Sequence, residues 1–271
     1  MTNKTTSAFS PIRAGFGRTI SIIVAIFLLF CLLFTALEIV SFNEIFYRNT
    51  YRTLDIANKT HIEERELMDV TREMLAYLKG DRATLDGVRV TADGTFREFF
   101  NNKEKAHMVD VAELLNFGRT ARLYMAIAIA ALSLINIFIC GKRWIYYTFS
   151  GLFWGGLFSF VAFGLLTLIA SINFDAVFTA FHKMVFSNDL WMLDSATDLL
   201  INIVPQEFFV KVSGRIAMLF GAFYCFVVAT GGIVSFASQY APWKKTSQTW
   251  HLRSGYQPVS LPVVNNHNGN G

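Results

Sequence analysis

Apolar residues crowd into four stretches of this chain, at residues 19–40, 123–140, 147–172 and 214–236. The first reads TISIIVAIFLLFCLLFTALEIV, with Glu38 as its only charge. Each comes close to or exceeds the roughly 20 residues that a helix needs to cross the hydrocarbon core of a bilayer. The competing reading is four buried helices of a soluble protein. Such a core would need more amphipathic chain around it than the remaining sequence supplies. The pattern predicts an all-α integral membrane protein with four transmembrane helices and two helical loop regions, residues 41–122 and 173–213.

Outside the runs the polar pattern is also helical. In THIEERELMDVTREMLAYLKG (60–80), Thr60 is placed as a cap, with Glu63 and Glu64 in the first turn. Leu67, Val70, Met74 and Leu78 form one stripe, and Gly80 ends it. Residues 81–95 combine turn residues with alternation around Val88 and Val90, the mark of a small hairpin. Residues 101–125 read as a second helix that runs almost directly into the second apolar run, with Gly118 as a bend. The aromatics and Arg48 of SFNEIFYRNTY (41–51) suit a membrane interface. Residues 173–213 are too apolar for an ordinary loop. Their aromatic and polar positions follow helical spacing until Asn188 and Asp189, and Asp194 or Ser195 is placed to cap a short helix through Ile203. Two readings stand side by side: amphipathic helices in the outer leaflet, with Trp191 and the phenylalanines at headgroup depth, or segments that cover the bundle.

Charge adds an orientation. All twenty Asp and Glu residues lie from Glu38 to Glu207. The stretches before the first run, between the second and third, and after the fourth carry Lys4, Arg13, Arg18, Lys142, Arg143, Lys244, Lys245 and Arg253, but no acid. Basic residues mark cytoplasmic segments. Residues 1–18 are therefore expected to be a cytoplasmic N-terminus and 237–271 a cytoplasmic, disordered tail. Between them, 19–236 form a four-helix membrane domain whose regions 41–122 and 173–213 face outward. The first run is long for a signal peptide and lacks a small-residue cleavage site, so it reads as an uncleaved anchor. Topology and anionic inner-leaflet lipid account for the basic pI, so no nucleic-acid partner is implied. Cys31, Cys140 and Cys225 all fall in apolar runs, which argues against a disulfide framework.

Candidate chemistry then concentrates on two outward histidines. His107 lies three residues after Glu104 and three before Asp110, on a face with Val111 and Leu114. His182 follows Phe178 and precedes Phe186 by one turn each, and lies seven residues after Asp175. Carboxylates within helical reach can tune an imidazole and set its tautomer. A packing role is the alternative for each. His61 reads as a surface or capping residue, and His251 and His267 fall in the tail. No HExxH or GxSxG motif appears, and no cofactor or metal is expected, although two histidines and a carboxylate are chemically able to hold zinc. Glu38 is placed to pair with Arg48, Arg52 or Arg122, or to serve the site directly. Arg119, Arg122 and Arg215 sit at outer helix ends, against the usual bias, where arginines can hold phosphate or an oxyanion.

The segments FNNKEKAHMVDV and FDAVFTAFHKMVFSNDLWMLDSATDLLINIVPQEFF, set in this layout, resemble the bacterial integral membrane family that includes the lipoprotein intramolecular transacylase. The resemblance covers roughly residues 20–235. It implies acyl transfer on diacylglyceryl-modified bacterial lipoproteins: the sn-2 chain moves to the α-amine of the N-terminal cysteine and yields the lyso form. The family's two essential histidines match His107 and His182. The resemblance carries no role for the weaker candidates Glu38, Arg48, Glu104, Asp110, Arg122, Asp175 and Trp191. Partners would be the lipoprotein and membrane phospholipid, at the outer leaflet of the cytoplasmic membrane. Two histidines can act as base and acid, with His182 as base in the favoured order, while the reverse order and an acyl-imidazole intermediate stay open. Other classes compatible with the residues are an outer-leaflet lipid or lipoprotein hydrolase and a non-enzymatic membrane assembly factor.

Overall fold

The computed structural model describes residues 11–239. Four long helices form the bundle: α1 (Pro11–Ser41), α5 (Asn102–Cys140), α6 (Trp144–Ile172) and α9 (Gln206–Gln239). Between α1 and α5 lie α2 (Glu44–Leu54), α3 (Ile56–Thr60), α4 (Glu64–Lys79) and a hairpin of β1 (Arg89–Ala92) and β2 (Thr95–Glu98). Between α6 and α9 lie α7 (Phe174–Val185) and α8 (Leu199–Ile203). Among the described residues, three stretches are long and apolar enough to cross a membrane: Pro11–Ser41, Asn102–Ile172 and Gln206–Ser238. The second joins α5 to α6 through the one-turn 3-10 link Gly141–Arg143. At most 22 % of the most apolar window of any stretch is buried. Side chains such as Phe138 and Phe158 are instead 85 % and 78 % exposed, as a hydrocarbon-facing surface requires.

The helices approach closely where side chains are small. α1 packs on α5, α6 and α9, and α6 packs on α9. At Gly156 of α6 an added Cβ would stand 2.6 Å from Cγ2 of Val228, and the Gly156 carbonyl accepts the Tyr224 hydroxyl. Such contacts replace the hydrophobic drive that lipid removes. Gly156→Val is expected to destabilise the bundle by about 1–3 kcal/mol, read as a lower unfolding midpoint of the purified protein. Gly118, read from sequence as a bend, interrupts nothing, because α5 is continuous across it. Its missing Cβ leaves room for the Phe34 ring of α1, which a Cβ would meet at 3.2 Å.

The two loop regions build one cap. A single buried core joins Tyr47, Tyr51, Leu67, Val70, Met74 and Leu78 of the first region to Leu200, Ile203, Val204 and Phe208 of the second. The Leu67–Leu78 stripe and the Gly80 terminator, at φ +89°, stand as the periodicity predicts. The hairpin lies slightly later than expected. Asp93 and Gly94, both at positive φ, turn the chain between Ala92 and its partner Thr95, as a two-residue hairpin turn demands. Thr60 does not cap α4. It ends α3, its hydroxyl bonds back to the Ile56 carbonyl, and Glu63 precedes α4 instead. The short helix before Pro205 starts after Asp198, not after Asp194 or Ser195. The expectations for residues 1–10 and 240–271, with His251 and His267, lie outside the described residues.

Candidate active site

At 1.5 Å per residue the 39 residues of α5 span about 58 Å, nearly twice a hydrocarbon core of roughly 30 Å. Its polar N-terminal part therefore projects beyond the apolar run, into the cap. A capping box starts it: the Asn101 side chain accepts from Glu104 N at 2.9 Å, and Glu104 Oε2 accepts from Asn101 N at 2.7 Å. One turn later His107 points inward, with 8 % of its surface exposed. Its Nδ1 is buried and has no hydrogen-bond partner.

α7 delivers the second imidazole. Asn173 caps it by accepting from Ala176 N at 3.1 Å. In its last turn, His182 Nδ1 lies 2.7 Å from the Phe178 carbonyl oxygen. A carbonyl only accepts, so this bond places the proton on Nδ1 and leaves Nε2 as the basic lone pair. Rings enclose His182: Phe178 at 4.0 Å, Trp191 at 5.0 Å, Phe181 at 5.4 Å and Phe186 at 5.6 Å between centroids. Burial among them pushes the imidazole pKa below its ordinary value, against the opposing pull of the Phe178 bond. Folding therefore favours the neutral ring. Its contribution to stability is present above about pH 6.5, the unfolded value, and is lost as pH falls below that through the lowered folded value. In an imidazole NMR titration, the His182 midpoint should lie under 6.5; a midpoint at or above 6.5 contradicts the cage.

The two histidines meet. Their ring centroids are 6.5 Å apart, and Phe186 lies 5.5 Å from His107. Both line a cavity of about 460 Å³ whose walls are mostly apolar, among them Leu37, Val111, Phe174, Phe178, Leu200 and Phe208. Tyr47 also lines it, and burial raises its hydroxyl pKa, so it stays a neutral phenol. The arrangement offers two imidazoles to a ligand with an apolar body. Among the described residues, no three His, Cys, Asp or Glu side chains gather as metal ligands.

The weaker sequence candidates divide. Trp191 stands at His182. Asp110 accepts from Asn188 Nδ2 at 2.9 Å, which ties the Trp191 turn to the helix of His107. Glu104 is fully buried, and its Oε1 accepts from Leu200 N at 2.6 Å, so it joins α8 to α5 and does not face the cavity. Glu38 pairs with Arg122 at 2.6 Å and with Arg119 at 3.2 Å, beside a smaller pocket that shares Leu37, Phe42 and Phe181 with the histidine cavity. The expected alternatives Arg48 and Arg52 do not reach Glu38: Arg48 is exposed on α2, and Arg52 pairs with Glu64. Asp175 is exposed in the first turn of α7 and does not line the cavity. His61 is the exposed end of α3, at φ +51°.

Sequence reading missed Asp198. It is 2 % exposed and accepts from Asn101 Nδ2 at 2.7 Å and from Asp194 N at 2.8 Å, with Lys103 Nζ at 3.4 Å. No local pattern marks the two partners of this carboxylate that lie 95 and 97 positions away and tie it to the start of α5.

A family model described as lipoprotein intramolecular transacylase Lit matches residues 22–209. An uncharacterized protein of Aquifex aeolicus (strain VF5) is 28 % identical over 132 residues, which is 49 % of this chain and 56 % of that relative. The chain thus spans little more than half the length of the curated relative it matches. Among solved structures, the membrane integral lipoprotein intramolecular transacylase Lit from Bacillus cereus is 18 % identical. The superposition has a TM-score of 0.67 and covers 83 % of this chain and 98 % of that one. Its histidine-to-alanine variant gives a TM-score of 0.65 at 18 % identity, covering 85 % and 98 %. At this identity the likeness shows a shared fold.

Proposed function

The chain belongs to the lipoprotein intramolecular transacylase family, and we propose that it carries out that reaction. The sn-2 acyl chain of a diacylglyceryl-modified lipoprotein moves to the α-amine of the same molecule's N-terminal cysteine. The carbonyl carbon loses its bond to the sn-2 oxygen and gains one to nitrogen. The proton leaves the amine and ends on the freed glyceryl hydroxyl, so the step is an isomerisation. The observation that carries this reading is the pair of imidazoles, 6.5 Å apart between centroids, in the wall of an apolar cavity.

His182 is the base, because its Nδ1–H is committed to Phe178 and its Nε2 lone pair is free for the amine proton. An α-amine has a pKa of about 7.7–8.0, so near neutral pH it needs such an acceptor. His107 donates a hydrogen bond to the leaving oxygen, and the proton that His182 takes from the amine passes to that oxygen as it departs, so both imidazoles end neutral. A buried N–H without a partner is rarer than an unused lone pair, which favours proton-free Nδ1 and leaves Nε2–H to donate. Amine and ester belong to one molecule, so holding them together supplies the advantage of proximity without an acyl-enzyme.

The proposed membrane arrangement has four transmembrane helices: α1, the apolar part of α5, α6 and α9. The N- and C-terminal segments, 1–18 and 237–271, are cytoplasmic, and the cap faces the outer leaflet. The basic residues Arg13, Arg18, Lys142, Arg143, Lys244 and Lys245 in the segments placed inside support this orientation.

Mass spectrometry of an N-terminal lipopeptide, after expression in a host without other N-acylating activity, tests the reaction. The expected product has unchanged total mass and one acyl chain on nitrogen. Release of free fatty acid would make the protein a hydrolase, and gain of a third chain would refute an intramolecular transfer.

A further inference from the structure

Of the three arginines that break the charge bias at the outer helix ends, Arg119 and Arg122 are answered by Glu38. Arg215 is not. Among the described residues, neither Arg215 nor Lys211, one turn earlier on α9, has an ion-pair partner. Both are exposed, and both line a groove of about 850 Å³ between α2 and α9 that no carboxylate lines. The groove is separate from the histidine cavity: Lys211, Arg215 and Met218 line the groove, whereas Val212 and Ile216 line the cavity.

The groove's chemistry is graded. Lys211 and Arg215 stand where the apolar run of α9 begins, and Asn49 and Thr53 of α2 add polar groups. Farther along α9 the lining becomes Met218, Leu219 and Ala222, joined by Ile39 of α1. Met218 is 67 % exposed and Ile39 49 %. Two cations above an open apolar track match a charged headgroup above acyl chains. A guanidinium suits a phosphate bidentately, and a nearby ammonium adds a second charge. An apolar track alone would not choose among lipids; the unanswered charge does.

We propose that this groove binds the phosphate-bearing headgroup of an anionic glycerophospholipid. The phosphate sits between Lys211 and Arg215, the headgroup hydroxyls reach Asn49 and Thr53, and one acyl chain follows Met218 and Ile39. Bound lipid bridges α2 and α9, whose other faces supply Tyr47, Val212 and Ile216 to the histidine cavity. The site does not depend on the acyl-transfer reading.

Native mass spectrometry of the full chain in detergent, titrated separately with phosphatidylglycerol, phosphatidylcholine and inorganic phosphate, tests it. Phosphatidylglycerol should be retained selectively. The double variant Lys211→Gln/Arg215→Gln should bind it roughly 10- to 30-fold more weakly, and Lys211→Arg should retain binding if the double variant fails to fold. Undiminished binding by a folded double variant, or loss in Lys211→Arg, overturns the proposal. Equal retention of phosphatidylcholine overturns the selectivity, and displacement of the lipid by inorganic phosphate reduces the site to a simple anion site.

Discussion

His182→Asn is expected to lower the rate of O-to-N acyl transfer by roughly 10²–10⁴-fold, the usual worth of a positioned general base. The asparagine amide can still donate to the Phe178 carbonyl, which accepts from His182 Nδ1 in the native chain. It offers no basic nitrogen in place of Nε2. The change thus removes the proton acceptor and keeps the anchor of the cage. His107→Asn should cost a comparable factor, because the glyceryl oxygen would leave without the positioned imidazole N–H that stabilises its developing charge. Two residues acting in one proton transfer are not additive, so the double variant should be little slower than the worse single one. Initial rates of lyso-lipopeptide formation measure this, alongside unfolding midpoints that show each variant is folded. A stable His182→Asn protein that converts substrate at the native rate would remove this residue from the mechanism.

Glu104→Ala is expected to be the most destabilising single change in the cap, at about 3 kcal/mol. Its two carboxylate oxygens accept from Asn101 N and Leu200 N, and the side chain is fully buried. Alanine strands both N–H groups and dissolves the capping box that starts the helix of His107. Glu104→Gln keeps one oxygen for one N–H and turns an amide NH₂ toward the other, so about half the loss should remain. Thermal or denaturant unfolding of the purified variants checks the order Ala, then Gln, then native. Equal stability of all three would mean the carboxylate is not the tie between α5 and α8. Activity should fall with the alanine change, because the chain leading back from α8 carries Trp191 to the His182 ring.

Much of the architecture is local, and local patterns are readable. The Leu67–Leu78 stripe, the Gly80 stop and the continuity of the 101–125 segment with the next apolar run all follow from periodicity and backbone preference over a few residues. Both histidines stand out because an imidazole on an apolar helical face is conspicuous in sequence. Capping was less legible. Thr60 and Glu63 compete for the same start, and the outcome depends on how α3 packs Ile56 into the shared core. Charge pairing was least legible. Glu38 had three nominal arginine partners, and distance along the chain does not choose among them. The crossing of α1 and α5 brings Arg122 and Arg119 within reach, and carries Arg48 away on α2.

By itself the sequence determined the membrane character, the apolar stretches and the two histidines, because each is written in composition or in spacing of four residues or fewer. Only the tertiary structure decided that the two loop regions share one core, that His107 and His182, 75 positions apart in the chain, meet at 6.5 Å between centroids, and that the Phe178 carbonyl sets the His182 tautomer. The meeting depends on the packing of α7 and α8 against the start of α5. Its decisive bonds, Glu104 to Leu200, Asn101 to Asp198 and Asp110 to Asn188, link segments 78 to 97 positions apart. Interactions at that range leave no periodic trace in the chain, since the geometry that forms them exists only once the bundle and the cap have closed.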